Sequence, residues 1–280
     1  MMQIYDRLEC LQNRFRALDS VAIAFSGGVD STFLLKVAHN ILGDRAVAVT
    51  ASSSTYPERE YRAAVDYVNS MGIKQLIIEF DELKIKGFAD NPINRCYLCK
   101  RELFTQIIMT AHQHDISLVA DGSNADDVAD YRPGMQALQE LGIISPLQEV
   151  GMTKQDIRAL SKKMNLPTWD KPALACLASR IPYGQKINRE KLAMVDKAEQ
   201  YLLDRGFGQV RVRHHGDIAR IEVPPEQRSR FMDANFMNQV DETFRQIGFT
   251  YTTLDLKGYR TGSMNEKLIK SKNKKAEEIT

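Results

Sequence analysis

Apolar positions along the chain switch between two rhythms. Ile4, Leu8, Leu11, Phe15 and Leu18 recur at helical spacing and predict a first helix over residues 3–18. Val21-Ala22-Ile23-Ala24-Phe25 is an unbroken apolar run, the mark of a buried strand. Phe33, Leu34, Val37, Ala38 and Ile41 then share one helical face and predict a helix over 31–42. The alternation continues with a strand at 46–51 and a helix that starts at Pro57 and ends near Met71-Gly72. A strand at 75–80, an irregular stretch at 81–95, a helix near 97–114 and a strand at 117–120 follow. Strands alternating with helices at this spacing predict an α/β fold, a doubly wound parallel sheet. Ligands of such sheets bind beyond the carboxyl ends of the strands. The Gly27-Gly28 turn, Ala51-Ser52 and Asp121-Gly122 all fall at that edge.

The pattern changes in the second half. Thr153-x-x-Asp156 opens a helix to about Asn165, and Pro167 stops it. A loop rich in Pro, Ala and Gly runs over 167–187. Beyond it the expected order is helix 189–205, strand 209–214, turn 215–217, strand 218–223, helix 225–247 and strand 249–256. That order, αββαβ with one hairpin, predicts a smaller C-terminal α+β domain of ferredoxin-like type. The expected division is residues 1–170, an inter-domain loop at 171–187 that carries Cys176, a C-terminal domain at 188–265, and a polar, Lys-rich tail at 266–280 with no assigned function.

Composition narrows the class. The chain has 280 residues, enough for about two domains, and its 43% hydrophobic content suffices for an ordinary core. With 38 basic against 36 acidic residues the net charge is +2, which argues against a nucleic-acid partner. No apolar run is long enough to span a bilayer, and the first residues lead into a charged amphipathic helix, not a signal peptide. A cytoplasmic protein without a membrane partner is expected. In that reducing compartment Cys10, Cys96, Cys99 and Cys176 are poor disulfide candidates, and the Cys96-x-x-Cys99 pair reads as metal-binding or redox-active. Cys10 reads as a packing residue of the first helix.

The chemistry concentrates in a few runs. Ser26-Gly27-Gly28-Val29-Asp30-Ser31-Thr32 stands between a strand and a helix, where free backbone N–H groups can face a phosphate. Its glycines let an anion approach, its hydroxyls add donors, and Asp30 suits a Mg²⁺ held between carboxylate and phosphate. The kinase-type loop lysine is missing. Asp121-Gly122-Ser123-Asn124-Ala125-Asp126-Asp127 places three carboxylates at the same sheet edge; alone it also reads as a polar turn that caps a helix. Arg95, Lys100 and Arg101 flank Cys96 and Cys99 and favour thiolates. With Cys176 as a third thiol, three readings stay open: a [4Fe-4S] cluster with one open iron, a zinc site for which His112 and His114 are weak further ligands, or independent thiols with Cys176 as nucleophile or sulfur donor. Arg211 and Arg213 alternate on a strand and face one side, as a fork for phosphate or as a solvated face balanced by Asp217 or Glu222. Arg180 is a further anion-binding candidate. His214 and His215 read as hairpin-tip residues. Phe231, Met232, Phe236 and Val240 read as core.

SGGVDST resembles the loop of the PP-loop ATP pyrophosphatases, and DGSNADD resembles that superfamily's second strand-end motif. Together with DYRPG at 130–134, SRIPYG at 179–184 and VRVRHHGDIARIE at 210–222, they resemble the LarE sulfur transferases over about residues 15–265. The resemblance implies a Rossmann-like PP-loop domain and a reaction in two stages. ATP with Mg²⁺ activates the carboxylates of a pyridinium-3,5-dicarboxylate mononucleotide as acyl-adenylates, and sulfur then displaces AMP to give the thiocarboxylates of the nickel-pincer nucleotide of lactate racemase. It implies Ser26, Gly27, Gly28, Ser31 and Thr32 for pyrophosphate, Asp30 for metal and ATP, and Ala51, Ser52, Gly122 and Asp126 around the nucleotide. Arg211 and Arg213 match the substrate-phosphate arginines, and Ser179, Arg180 and Glu199 match active-site positions. Some family members sacrifice one cysteine, which ends as dehydroalanine. Others hold a [4Fe-4S] cluster on three cysteines, the pattern matched by Cys96, Cys99 and Cys176, and turn over with sulfide or another sulfur donor. A homo-oligomer, trimer or hexamer, is expected. Two alternatives remain: an ATP-dependent tRNA-thiolation enzyme and a non-catalytic, zinc-stabilised nucleotide-binding module.

Overall fold

The computed structural model describes residues 3–129 and 133–260. The first three residues of DYRPG and the polar tail lie outside these. The chain forms two compact units, one of residues 1–88 and 92–174, the other of 89–91 and 175–280. No helix among the described residues is long and apolar enough to cross a membrane.

The first unit is a parallel α/β layer structure. Its elements are α1 (Ile4–Arg16), β1 (Val21–Ala24), α2 (Val29–Leu42), β2 (Ala46–Ser52), α3 (Glu58–Ser70), β3 (Gln75–Glu79), α4 (Arg95–His112), β4 (Val119–Ala120), α5 (Pro133–Glu140), α6 (Pro146–Glu149) and α7 (Lys154–Lys163). The four strands are parallel in the order β3-β2-β1-β4, with Val21 opposite Ala46 and Ala22 opposite Val119. Alternate side chains of one strand feed opposite layers. Val21 and Ile23 pack with Leu11, Phe15, Phe33 and Leu34 on one face, while Ala22 packs with Val47, Val49, Phe104 and Ile107 on the other. That double burial explains the unbroken apolar runs. The chain runs outward from β1 through β2 to β3 and returns to β4 on the other side of β1. The loops after β1 and β4 therefore diverge at a topological switch point, where a crevice opens.

The second unit is the expected αββαβ assembly: α8 (Arg189–Leu203), β5 (Arg211–His215), β6 (Ile218–Glu222), α9 (Ala234–Ile247) and β7 (Tyr251–Leu254). β5 and β6 form the hairpin, and β7 joins β6 in parallel. Phe207, Val212, Ile221, Phe244 and Phe249 are its core.

Four local expectations need correction: Cys10, expected to pack, is exposed on α1, and three more follow. The helix foreseen over 225–247 is broken: Pro225–Met232 is a 3-10 segment after Pro224, and α9 starts afresh because Asp233 accepts the Phe236 N–H at 2.7 Å. Met232 is 68% exposed and not core, whereas Phe231 and Val240 are buried. His214 and His215 belong to β5, His214 buried against Phe249, and the hairpin tip is Gly216-Asp217, with Gly216 at φ +66°.

Candidate active site

Residues 25–28 connect β1 to the N-terminus of α2 at the switch point. Gly27 holds φ +62°, a left-handed conformation, and a Cβ there would lie 2.9 Å from the Ala64 Cβ. Gly28 caps α2, so the first amides of the helix stay unpaired within it and face outward. Asp30 lies in the first turn, where the helix dipole favours a negative charge. Ser31 Oγ meets Ser26 Oγ at 3.1 Å and accepts the Ser26 N–H at 3.3 Å, folding the loop back on its helix. Tyr56, in the segment after β2, donates its hydroxyl to the Ser26 carbonyl. Burial, reinforced by Glu60, pushes the Tyr56 phenol well above its usual range, so it stays a donor.

Behind the loop, Gly122 packs tightly: a Cβ there would stand 3.1 Å from the Ser31 nitrogen. The 121–127 run splits into two functions. Asp121 does not join a carboxylate cluster. It is buried, and its two oxygens accept from Ser123 Oγ at 2.5 Å and Ser145 Oγ at 2.6 Å. Asn124 caps the following turn, as the polar-turn reading had it, accepting from the Asp126 N–H at 2.9 Å. Its amide also reaches Asp30 at 3.4 Å.

A cavity of about 370 Å³ lies in front of these elements. Ser26, Gly28 and Asp30 line one side and Asn124, Asp126 and Asp127 another. Two lysines complete it. Lys154, first residue of α7, pairs with Asp30 at 2.5 Å while its N–H donates to Asp126 at 2.8 Å. Lys171 donates to the Gly27 carbonyl at 3.0 Å and pairs with Glu60 at 2.6 Å. Arg158 holds that segment by donating to the Trp169 and Lys171 carbonyls at 2.8 and 2.7 Å. Neither lysine was singled out in the sequence as part of the site, nor were Tyr56 and Glu60. Ala51 and Ser52 end β2 and are not among the lining residues; Gly27 and Thr32 line a second cavity behind the loop.

The carboxylates of Asp30, Asp126 and Asp127 suit a hard divalent cation. They do not converge as one group: no three His, Cys, Asp or Glu side chains among the described residues form a metal-holding set, and Asp30 is paired with Lys154 while Asp126 and Asp127 accept the Lys154 and Asn124 N–H groups. The cysteines divide between the units. Cys96 and Cys99 lie one turn apart at the start of α4, Cys96 exposed and Cys99 half-buried. These two fit a soft metal centre as neighbouring ligands. Cys176 belongs to the second unit and caps a 3-10 turn, Leu177–Arg180.

In that unit Arg180 and Glu199 are both fully buried and paired through two contacts of 2.8 and 2.9 Å. Arg180 also donates to the Ala175 and Cys176 carbonyls and to Ser179 Oγ, so the ion pair anchors the cysteine loop. Burial alone would raise the Glu199 carboxyl; the Arg180 charge and its hydrogen bonds outweigh burial and hold it below the usual carboxylate range. Arg211 and Arg213 are buried as well. Arg213 pairs with Glu222 at 2.7 Å, the balancing partner foreseen on the hairpin. Burial, then the Arg180 charge, lower the Arg211 guanidinium from its ordinary value.

Comparison with known proteins agrees with this geometry. The NAD synthase family model matches residues 4–178. An uncharacterised protein of Synechocystis sp. is 44% identical over 94% of this chain and 98% of its own. Pyridinium-3,5-bisthiocarboxylic acid mononucleotide synthase of Lactiplantibacillus plantarum is 38% identical over 91% of this chain and 92% of its own. The glutamine-hydrolysing GMP synthase of Pyrobaculum aerophilum is 26% identical over 70% of this chain and 42% of its own. A glycine loop with unpaired helix amides at a switch point, carboxylates opposite it and relatives of this kind lead to one conclusion: the chain is an ATP-dependent enzyme that belongs to the NAD synthase-like family of PP-loop ATP pyrophosphatases.

Proposed function

We propose that the protein is an ATP-dependent sulfur transferase that converts the carboxylates of pyridinium-3,5-dicarboxylate mononucleotide to thiocarboxylates, a step in making the nickel-pincer nucleotide. The observation that carries this reading is the loop, carboxylate and lysine cavity at the switch point, in a chain alike over nearly its whole length to a synthase of that product. In the first stage a substrate carboxylate oxygen attacks the α-phosphorus of ATP. The bond between the α- and β-phosphates breaks, pyrophosphate leaves, and an acyl-adenylate forms. The amides at the start of α2 and the Lys154 and Lys171 ammonium groups face the charge that builds on the phosphates. Asp30, Asp126 and Asp127 are the residues that would hold Mg²⁺, which would supply positive charge against the phosphates. Arg211 and Arg213 are assigned to the substrate phosphate; their alternation on β5 puts both on one face.

In the second stage a sulfur nucleophile attacks the acyl carbon and AMP departs. Cys96, Cys99 and Cys176 are assigned to sulfur delivery. A [4Fe-4S] cluster on these three would supply an open iron for sulfide, and the resemblance to three-cysteine family members supports it. In a second reading the Cys176 sulfur itself attacks; Arg180 donates to the Cys176 carbonyl at 3.0 Å and fixes its loop. Loss of the cysteine α-proton and cleavage of its Cβ–S bond would then release the thiocarboxylate and leave dehydroalanine. Either carrier predicts that Cys176→Ala abolishes thiocarboxylate formation while pyrophosphate release continues. Cys96→Ala and Cys99→Ala separate the two: both lose turnover with sulfide if a cluster carries the sulfur, and both keep a single turnover if Cys176 acts alone. Thiocarboxylate made by Cys176→Ala would refute both. A homo-oligomer working in the cytoplasm belongs to the same proposal.

A further inference from the structure

Glu82 opens the 3-10 turn Glu82–Lys84 after β3, a turn capped by Asp81, which accepts the Leu83 N–H at 3.2 Å. Its carboxylate is only 3% exposed. A buried carboxylate is costly unless hydrogen bonds replace its water. Here they come from hydroxyls. Ser53 Oγ faces both carboxylate oxygens at 2.6 Å, and Thr55 Oγ1 donates to one of them. Both donors belong to the segment after β2, and Thr55 is as buried as Glu82. The Thr55 N–H donates to Ser53 Oγ at 3.0 Å, and the Tyr56 N–H closes the turn on the Ser53 carbonyl at 3.2 Å. Serine and threonine in turns ordinarily spend their protons on nearby backbone. A carboxylate has only acceptors to offer, so Glu82 draws both protons inward and sets the turn.

That turn ends on Tyr56, which donates to the Ser26 carbonyl and lines the nucleotide cavity. The Ser26 carbonyl and the Gly27 N–H belong to one planar peptide unit and point opposite ways. Holding the carbonyl therefore holds the Gly27 amide of the phosphate loop. Glu82 itself lies outside the lining of that cavity. We propose that Glu82 is a positioning residue of the phosphate loop, acting through Ser53 and Thr55 on Tyr56 and through Tyr56 on the Ser26–Gly27 peptide. The inference rests on the proposed adenylation, for which the loop must meet ATP with its amides already aimed.

The test is a double-mutant cycle on the full chain, read by calorimetric binding of α,β-methylene-ATP and by amide hydrogen exchange of residues 24–32 without ligand. Glu82→Gln and Tyr56→Phe should each weaken analogue binding about tenfold. Combined, they should weaken it little more than either alone, because both act through one hydrogen bond. Exchange over 24–32 should quicken in both single variants and no further in the double. Thr55→Val, which keeps the carboxylate and removes one donor, should follow Glu82→Gln in direction, and Thr55→Ser should restore affinity; these two decide the matter if Glu82→Gln does not fold. Unchanged affinity and exchange in Glu82→Gln, or losses that multiply to about a hundredfold in the double variant, would overturn the proposal and leave Glu82 a residue of local packing. Failure of the analogue to bind the unaltered chain would strike the adenylation reading instead, while exchange at the loop would still decide whether Glu82 positions it.

Discussion

At position 27 a single torsion shapes the site. Its φ of +62° and the nearness of Ala64 leave room for glycine alone. Gly27→Ala is expected to cost roughly 1–3 kcal/mol in denaturant unfolding and to weaken ATP binding through a displaced loop. Lys154 carries a different prediction. Its ammonium faces Asp30 across the nucleotide pocket, so Lys154→Met should lower kcat/KM for pyrophosphate release by about 10²–10³-fold with little change in stability. Asp30→Ala should abolish pyrophosphate release; full activity in that variant would remove the ATP assignment. The loop was legible in the sequence because its chemistry is local: glycines, hydroxyls and an acid within seven residues between a strand and a helix. Lys154 and Lys171 were not, because their partners stand 124 and 144 residues away in the chain. Nothing about an isolated lysine reveals such a partner.

At the scale of elements, the Arg180–Glu199 pair joins the cysteine loop to α8. Glu199 also accepts the Val212 N–H at 3.0 Å, which ties in β5. Both charges are fully buried, so Glu199→Gln should destabilise the second unit by about 3–5 kcal/mol in equilibrium unfolding, because Arg180 is left uncompensated. A double replacement by apolar residues should recover part of the loss. The pair has a pH signature. Glu199 titrates lower folded than its ordinary 4.5, so its contribution is complete above that value and disappears as pH falls through the folded one. His214 acts in the same direction at higher pH. Burial, then Lys191, lower it from 6.5 although Asp217 and Glu190 oppose, so the unfolded chain takes up the proton more readily and stability falls as pH drops below about 6.5. His214→Leu should flatten that part of a stability–pH profile. Alternation predicted the β5–β6 hairpin, since register follows period two. The break before α9 escaped because apolar spacing continues through Phe231 and Phe236, while the capping Asp233 is what divides the segment.

At the scale of the molecule, strand order decides where chemistry can occur. Strands alternating with helices made the parallel sheet predictable. The order β3-β2-β1-β4 then sets the loops after β1 and β4 on either side of one crevice, where Asn124 reaches Asp30 from 94 residues away in the chain. Which carboxylates line the cavity was not legible: Asp121 and Asp126 look alike in sequence, but the end of β4 turns Asp121 to Ser145. The sulfur carrier reads out on the same scale. Anaerobically purified protein with about four iron and four acid-labile sulfide per chain would establish a cluster, whereas colourless, iron-free protein that resists reconstitution would leave Cys176 as donor. The most direct measurement is mass spectrometry of pyridinium-3,5-dicarboxylate mononucleotide after incubation with the purified protein, Mg²⁺ and ATP, with and without sulfide. The account predicts replacement of a carboxylate oxygen by sulfur, with stoichiometric AMP and pyrophosphate and no product when ATP is omitted. Release of AMP and pyrophosphate only upon addition of tRNA, with the mononucleotide unchanged, would contradict it.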